Sequence, residues 1–122
     1  YDDETIDSLD LMSQSIDLVQ DRFSKIHAPD DFVVTLEGVT LLDAISMRLQ
    51  VIGESVKQIL KTNPSFLEQY PEIEWERIAR FRDFVSHHYD RIDHEIVYDI
   101  CREQIPKLGH AVQKMRASLR RS

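Results

Sequence analysis

Between Leu42 and Ile59 the apolar residues Leu42, Ile45, Leu49, Ile52, Val56 and Ile59 alternate steps of three and four without a miss. That spacing follows the roughly 3.6-residue turn of an α-helix, so all six side chains share one stripe, whereas a strand would scatter them over both faces. The pattern predicts a long helix over about residues 37–61. A helix with one apolar stripe must bury it against other elements, and the rest of the chain reads as helices able to do so. Ile6, Leu9, Ile16, Val19, Phe23 and Ile26 predict a first helix over about 3–26 that stops at His27-Ala28-Pro29-Asp30-Asp31. Asn63-Pro64 reads as an N-cap followed by proline at the first helical position, opening a short helix through Tyr70 that Pro71 closes. Trp75, Ile78, Phe81, Val85 and His88 or Tyr89 mark a fourth helix. Asp93 caps a last one, with the stripe Ile96, Ile100, Leu108, Val112, Met115 and Leu119. Pro106 predicts a kink there, because it lacks a backbone donor and crowds the carbonyl of Arg102.

No segment sustains period-two alternation, and there are only three glycines. The expected fold is therefore all-α: an up-and-down four-helix bundle with an extra short helix. A chain of 122 residues can bury one core but not two of ordinary size, so residues 1–122 are expected to form a single domain. No apolar run approaches the roughly 20 residues needed to span a bilayer. The opening YDDETIDS is acidic where a secretory signal would be basic and then apolar, which points to the cytoplasm and away from the membrane. The chain opens at Tyr1 rather than methionine, so its true N-terminus is expected upstream. Its single cysteine, Cys101, has no partner for an internal disulfide and reads as a small apolar filler.

Charge divides the chain. Residues 1–75 carry 15 acids and 5 bases, whereas residues 76–122 carry 7 acids and 10 bases, for the overall net charge of −7. An acidic protein is poorly suited to nonspecific nucleic-acid binding, which depends on neutralising phosphates. The basic half still leaves room for a local face that holds one RNA segment. Within it, RFRDFVSHHYDRIDHE at residues 80–95 holds three of the five histidines with three arginines and a tyrosine. The plain reading is a solvated basic face with one core histidine; the other is a site. At about 100° per residue, Arg82 and Tyr89 lie about 20° apart on one helix, whereas Arg82 and His87 lie about 140° apart. For Arg82 and His87 to act together, either the helix end unwinds or a second copy of the chain completes the site. A two-fold axis near this helix would set two arginines and two histidines around one cleft.

Arg82-Asp83-Phe84-Val85-Ser86-His87-His88-Tyr89 resembles the Arg-x4-His-x-Tyr signature of HepT-like toxins in the HEPN superfamily. IGES at 52–55 resembles the Ile-Gly-Glu element of that family's second helix, and Pro71 to Ile78 its Pro-x-Ile-x-Trp lead-in. Ile105-Pro106-Lys107-Leu108 resembles its Pro-x-Leu element in the last helix. Arg and His five apart recur by chance in many chains; the ordered set, over about residues 38–119, is far more specific. The resemblance implies a two-fold homodimer and a metal-independent, cofactor-free endoribonuclease of a type VII-like toxin–antitoxin pair, neutralised by a minimal nucleotidyltransferase encoded beside it.

By the same resemblance, His87 is the general acid or base toward the ribose 2′-hydroxyl, and Arg82 stabilises charge developing on the scissile phosphate. Imidazole titrates near neutrality, and guanidinium stays charged and matches phosphate oxygens with a planar fork. Tyr89 is, by resemblance, the acceptor of adenylyl groups from the partner enzyme; read alone, it is a tyrosine that packs its ring at an interface. Asp83 either orients His87, four residues on, or bridges to Arg80. Arg80 and Arg91 are candidate RNA contacts, and the basic end of the last helix, Arg116, Arg120 and Arg121, is expected to flank the cleft and touch phosphates. His88 points about 100° from His87 and reads as an interface or surface residue. Gly53 costs a helix about 1 kcal/mol relative to alanine, which points to close approach of a neighbouring helix, with the one carrying Arg82 as candidate. Glu54 beside it either pairs with an arginine at that crossing or is a surface carboxylate.

Two other classes fit parts of the pattern. One is a noncatalytic HEPN module that binds nucleotide or serves as a platform for a partner. The other is a metal-binding helical bundle, because Asp83, His87, Asp90 and His94 recur at steps of three or four. Asp93 restarts the helix inside that stripe and no second helix offers a matching histidine pair, so no metal is expected.

Overall fold

The computed structural model describes residues 3–88 and 91–120, and of Ser86, His87, His88 and Arg91 the backbone alone. Helix α1 spans Asp3–Phe23 and α2 spans Leu36–Thr62, and the two pack along each other. Every residue of the α2 stripe from Leu42 to Ile59 is buried, as its spacing requires. The α1 stripe departs from expectation at one end: Ile6 is exposed and Thr5 takes the buried place, one step of four before Leu9. The helix also ends at Phe23, three residues early, where the Ser24 hydroxyl donates to the Asp21 carbonyl at 2.6 Å. A 3₁₀ turn over Pro29–Phe32 follows. It is held by the Asp31 carboxylate, which accepts from the backbone N–H of His27 and Ala28 at 2.8 and 3.1 Å. Thr35 caps α2 by accepting from the Gly38 N–H at 2.9 Å.

Helix α3 is Pro64–Glu68. Proline opens it as expected, but Asn63 is not a side-chain cap. Its backbone N–H closes α2 on the Ile59 carbonyl at 2.7 Å, and its side chain accepts from the Ser65 hydroxyl at 3.3 Å. Trp75, whose indole N–H donates to the Tyr70 carbonyl at 3.0 Å, anchors the lead-in to the next segment.

That segment is not the single helix expected through His88 or Tyr89. It is α4 (Trp75–Ala79), a break at Arg80 (φ −102°, ψ 20°), then α5 (Phe81–Val85). Two short antiparallel strands follow, β1 (Ser86–His88) and β2 (Arg91–Ile92). The physical reason lies at the hairpin's base: the Val85 carbonyl accepts from the Asp93 N–H at 2.9 Å, which closes a loop where a helix would have run on. The apolar spacing was right as far as it went, since Trp75, Ile78, Phe81 and Val85 are all buried.

Asp93 then caps α6 (His94–Asp99), its carboxylate accepting from the N–H groups of Glu95 and Ile96 at 3.1 Å each. Ahead of Pro106 the chain widens into a π-helical turn over Ile100–Gln104, in which Ile105 donates to Ile100 five residues back, and α7 (Ile105–Arg120) continues. The π-turn is how the helix accommodates a residue with no N–H to give. The resulting all-α bundle has α1, α2 and the α6–α7 run as its long members, with the paired short helices α4 and α5 filling the remaining place. Among the described residues no helix is long and apolar enough to cross a membrane.

Candidate functional site

The site begins with Gly53. A Cβ added there would lie 3.1 Å from the Ile78 carbonyl oxygen, 3.4 Å from that of Ala79 and 3.6 Å from Phe81 Cβ. The α4–α5 junction therefore rests directly on α2, and the close approach read from the sequence is to the segment that carries Arg82. The break at Arg80 sits on this contact.

Beyond the break, α5 buries Phe81 and Val85 and exposes Arg82 and Asp83. Phe84 is half-buried against the core. The guanidinium carbons of Arg77 and Arg80 lie over its ring, 5.8 and 5.7 Å from the centroid. Among the described residues, none of Arg77, Arg80 and Arg82 forms an ion pair. The bridge between Asp83 and Arg80 is thus not made among the described residues; Arg80 turns to Phe84 instead.

His87 lies on β1, outside any helix. Ser86 pairs with Ile92 and His88 with Arg91, so the strand register shifts across His87. The 140° divergence from Arg82 that a continuous helix would impose does not apply, because the helix end has unwound. For the same reason the 20° proximity of Arg82 and Tyr89 and the four-residue alignment of Asp83 with His87 lose their geometric basis. Tyr89 and Asp90 fall outside the described residues, as does Arg121, and Arg91 is described only as backbone.

The chain matches the family described as "Ribonuclease HepT-like" over residues 12–115. It belongs to that family. Relatives include "Probable ribonuclease HepT" of Thermococcus cleftensis, 29% identical over 110 residues that cover 90% of this chain and 94% of the relative. A "Putative RNase" of Methanocaldococcus jannaschii is 33% identical over 106 residues, 87% of this chain and 81% of the relative. Another from that archaeon is 40% identical over 63 residues, 52% of this chain and 50% of the relative. A third, named "Gamma-glutamylcyclotransferase and putative RNase", is 29% identical over 106 residues, 87% of this chain and 45% of the relative. The chain thus spans about half the length of these last two. No solved structure matches it.

Within this HepT-like chain, several expected site residues are placed elsewhere. Glu54 is exposed and its carboxylate lies 3.6 Å from Lys57 Nζ on the same helix, so it does not pair with an arginine of the crossing. Arg116 is not a free phosphate ligand: its guanidinium donates to Asp10 at 3.0 Å and to the Ser13 hydroxyl at 3.2 Å, tying α7 to α1. Arg120 lies at the same α1–α7 end, beside Arg116 and Leu119. The Asp83–His94 stripe also fails, since the hairpin interrupts it and His94 Nε2 faces Asp30 at 3.6 Å, joining α6 to the 3₁₀ turn. Two features were missed in the sequence. Neither Phe84 nor Arg77 was assigned a role from the sequence, although the seven- and four-residue intervals to Phe84 from Arg77 and Arg80 carried a signal for stacking on one ring.

Proposed function

We propose that this HepT-like protein is a metal-independent endoribonuclease toxin that acts as a homodimer, with Arg82 and His87 of two copies around one cleft. A nucleotidyltransferase antitoxin that modifies Tyr89 neutralises it. The observation that carries the reading is the family match over 12–115, which spans Arg82, His87 and Tyr89 in the Arg-x4-His-x-Tyr order. The exposed Arg82, without an ion pair among the described residues, supports it, because a guanidinium that is to meet a phosphate must not be spent on a carboxylate.

The chemistry follows from the groups. The ribose 2′-hydroxyl attacks the adjacent phosphorus as one imidazole takes its proton, and the 5′-oxygen leaves with a proton from a second acid, for which the partner copy's imidazole is the natural source. The products are a 2′,3′-cyclic phosphate and a 5′-hydroxyl. Arg82 offsets charge that builds on the phosphate oxygens. The ribose supplies the nucleophile, so no metal-activated water is needed.

The test is incubation of purified protein with total RNA in chelator, with end-group analysis of the fragments. His87→Ala and Arg82→Ala should each lose about 10²- to 10⁴-fold in rate with dimerisation and helicity intact, and His88→Ala much less. Intact RNA, a strictly monomeric mass at micromolar concentration, or a dead His88→Ala beside an active His87→Ala would each overturn this reading. Co-expression with the neighbouring nucleotidyltransferase should add adenylyl mass to the wild type and none to Tyr89→Phe.

A further inference from the structure

We propose that Phe84, with Arg77 and Arg80 laid over its ring, is a stacking subsite for one base of single-stranded RNA flanking the cleaved position. The proposal rests on the nuclease reading for its role but on separate residues for its geometry. Glu76 precedes Arg80 by four residues and Asp83 follows it by three, positions from which carboxylates ordinarily pair with arginine. Neither pair forms; both arginines are exposed and lie 5.7–5.8 Å from the Phe84 centroid. A guanidinium over an aromatic ring can offer its planar face to a base and its N–H donors to phosphate. Bases in single strands stack on such aromatic and guanidinium planes, whereas bases within a duplex are already stacked on each other.

The position of the subsite follows from α5. Phe84 and Arg82 are two residues apart, about 160° around the axis, so they stand on opposite flanks of the helix with Asp83 at its crest. A helix diameter of roughly 10 Å separates them. The base that stacks at Phe84 therefore belongs to a neighbour of the nucleotide whose phosphate meets Arg82. Arg77 also lines a cleft of about 500 Å³ with Glu72, Glu74, Asp99 and Glu103, and Lys107 is its other cation. Four carboxylates repel a phosphate backbone, so the bound strand turns away at Arg77 and the contact stays short.

The test uses the full chain and a short 2′-O-methyl RNA, which has no nucleophile and cannot be cleaved, bearing one 2-aminopurine whose fluorescence falls on stacking. Phe84→Leu should weaken binding about tenfold, abolish the quenching and leave the salt dependence unchanged. Arg77→Gln and Arg80→Gln should each lower the slope of log K against log salt by about 0.7. Phe84→Trp should keep both binding and quenching, and it carries the test if the leucine variant does not fold. A duplex of the same sequence should bind more weakly and be indifferent to Phe84→Leu. Wild type that fails to bind or quench the probe overturns the subsite, as does a folded Phe84→Leu that matches wild type or a folded Phe84→Trp that does not quench. Failures of the two readings separate cleanly. A protein that binds and quenches the probe but leaves RNA intact sinks the nuclease and keeps the subsite; one that cleaves RNA with the same KM after Phe84→Leu does the reverse.

Discussion

Replacing Gly53 tests how the site is held in place. In Gly53→Ala two effects oppose each other. Alanine improves on glycine in a helix by about 1 kcal/mol. The new methyl, however, meets the Ile78 carbonyl oxygen at 3.1 Å, so a backbone segment must give by a few tenths of an ångström. The two nearly cancel, and stability should stay within about 1 kcal/mol of wild type. Valine adds methyl groups that must crowd the Ala79 carbonyl or Phe81, already 3.4 and 3.6 Å from the Cβ position. Overpacking of that kind costs about 1–3 kcal/mol, which for a chain of this size lowers Tm by roughly 4–12 °C. Thermal unfolding followed by far-UV circular dichroism measures both. Activity should respond more sharply than stability, because the displaced junction carries Arg82: a 1 Å misplacement can cost about 10², so a shift of a few tenths should cost Gly53→Ala roughly tenfold in RNA cleavage. Gly109→Ala is the control. Its nearest neighbour is a side-chain atom, Ile16 Cγ2 at 3.3 Å, rather than the backbone that carries Arg82, so stability should stay within about 1 kcal/mol of wild type and cleavage should be unchanged. Wild-type Tm in Gly53→Val, or equal losses in Gly53→Val and Gly109→Ala, would refute the close contact.

Gly38→Ala should be the most damaging glycine change, about 3 kcal/mol or more by chemical denaturation, because its Cβ would overlap the backbone oxygen of Asp31. Cys101 is buried and burial pushes its thiol up to about 12, against 9.0 for an exposed thiol. Iodoacetamide should therefore label it only on unfolding; and because the raised value favours the protonated fold, the wild type should lose stability relative to Cys101→Ala as pH rises from 9.0 toward 12. The Ser46 hydroxyl is buried with no hydrogen-bond partner among the described residues, so Ser46→Ala should be neutral or stabilising by up to about 1 kcal/mol in a denaturant titration. Arg116→Gln should cost about 0.5–1 kcal/mol, since the pair with Asp10 is partly exposed, and should leave RNA affinity near wild type.

The sequence by itself determined what is written within a turn or two of chain. The α2 stripe, the proline start of α3 and the Asp93 cap were all legible, because apolar period and capping depend on residues three or four apart. The ordered motif set likewise carried the family. Only the tertiary structure decided where the fourth helix stops: Trp75, Ile78, Phe81 and Val85 keep helical spacing, but nothing local announces that the Val85 carbonyl will accept from Asp93 and turn His87 onto a strand. The partners of Arg116 were equally out of reach, since Asp10 and Ser13 lie 106 and 103 residues away and a basic helix end reads the same whether it faces phosphate or a distant carboxylate. Gly53 stood between the two cases. Its cost to a helix announced a close neighbour, and packing chose which one, because a missing side chain marks a space without naming what fills it.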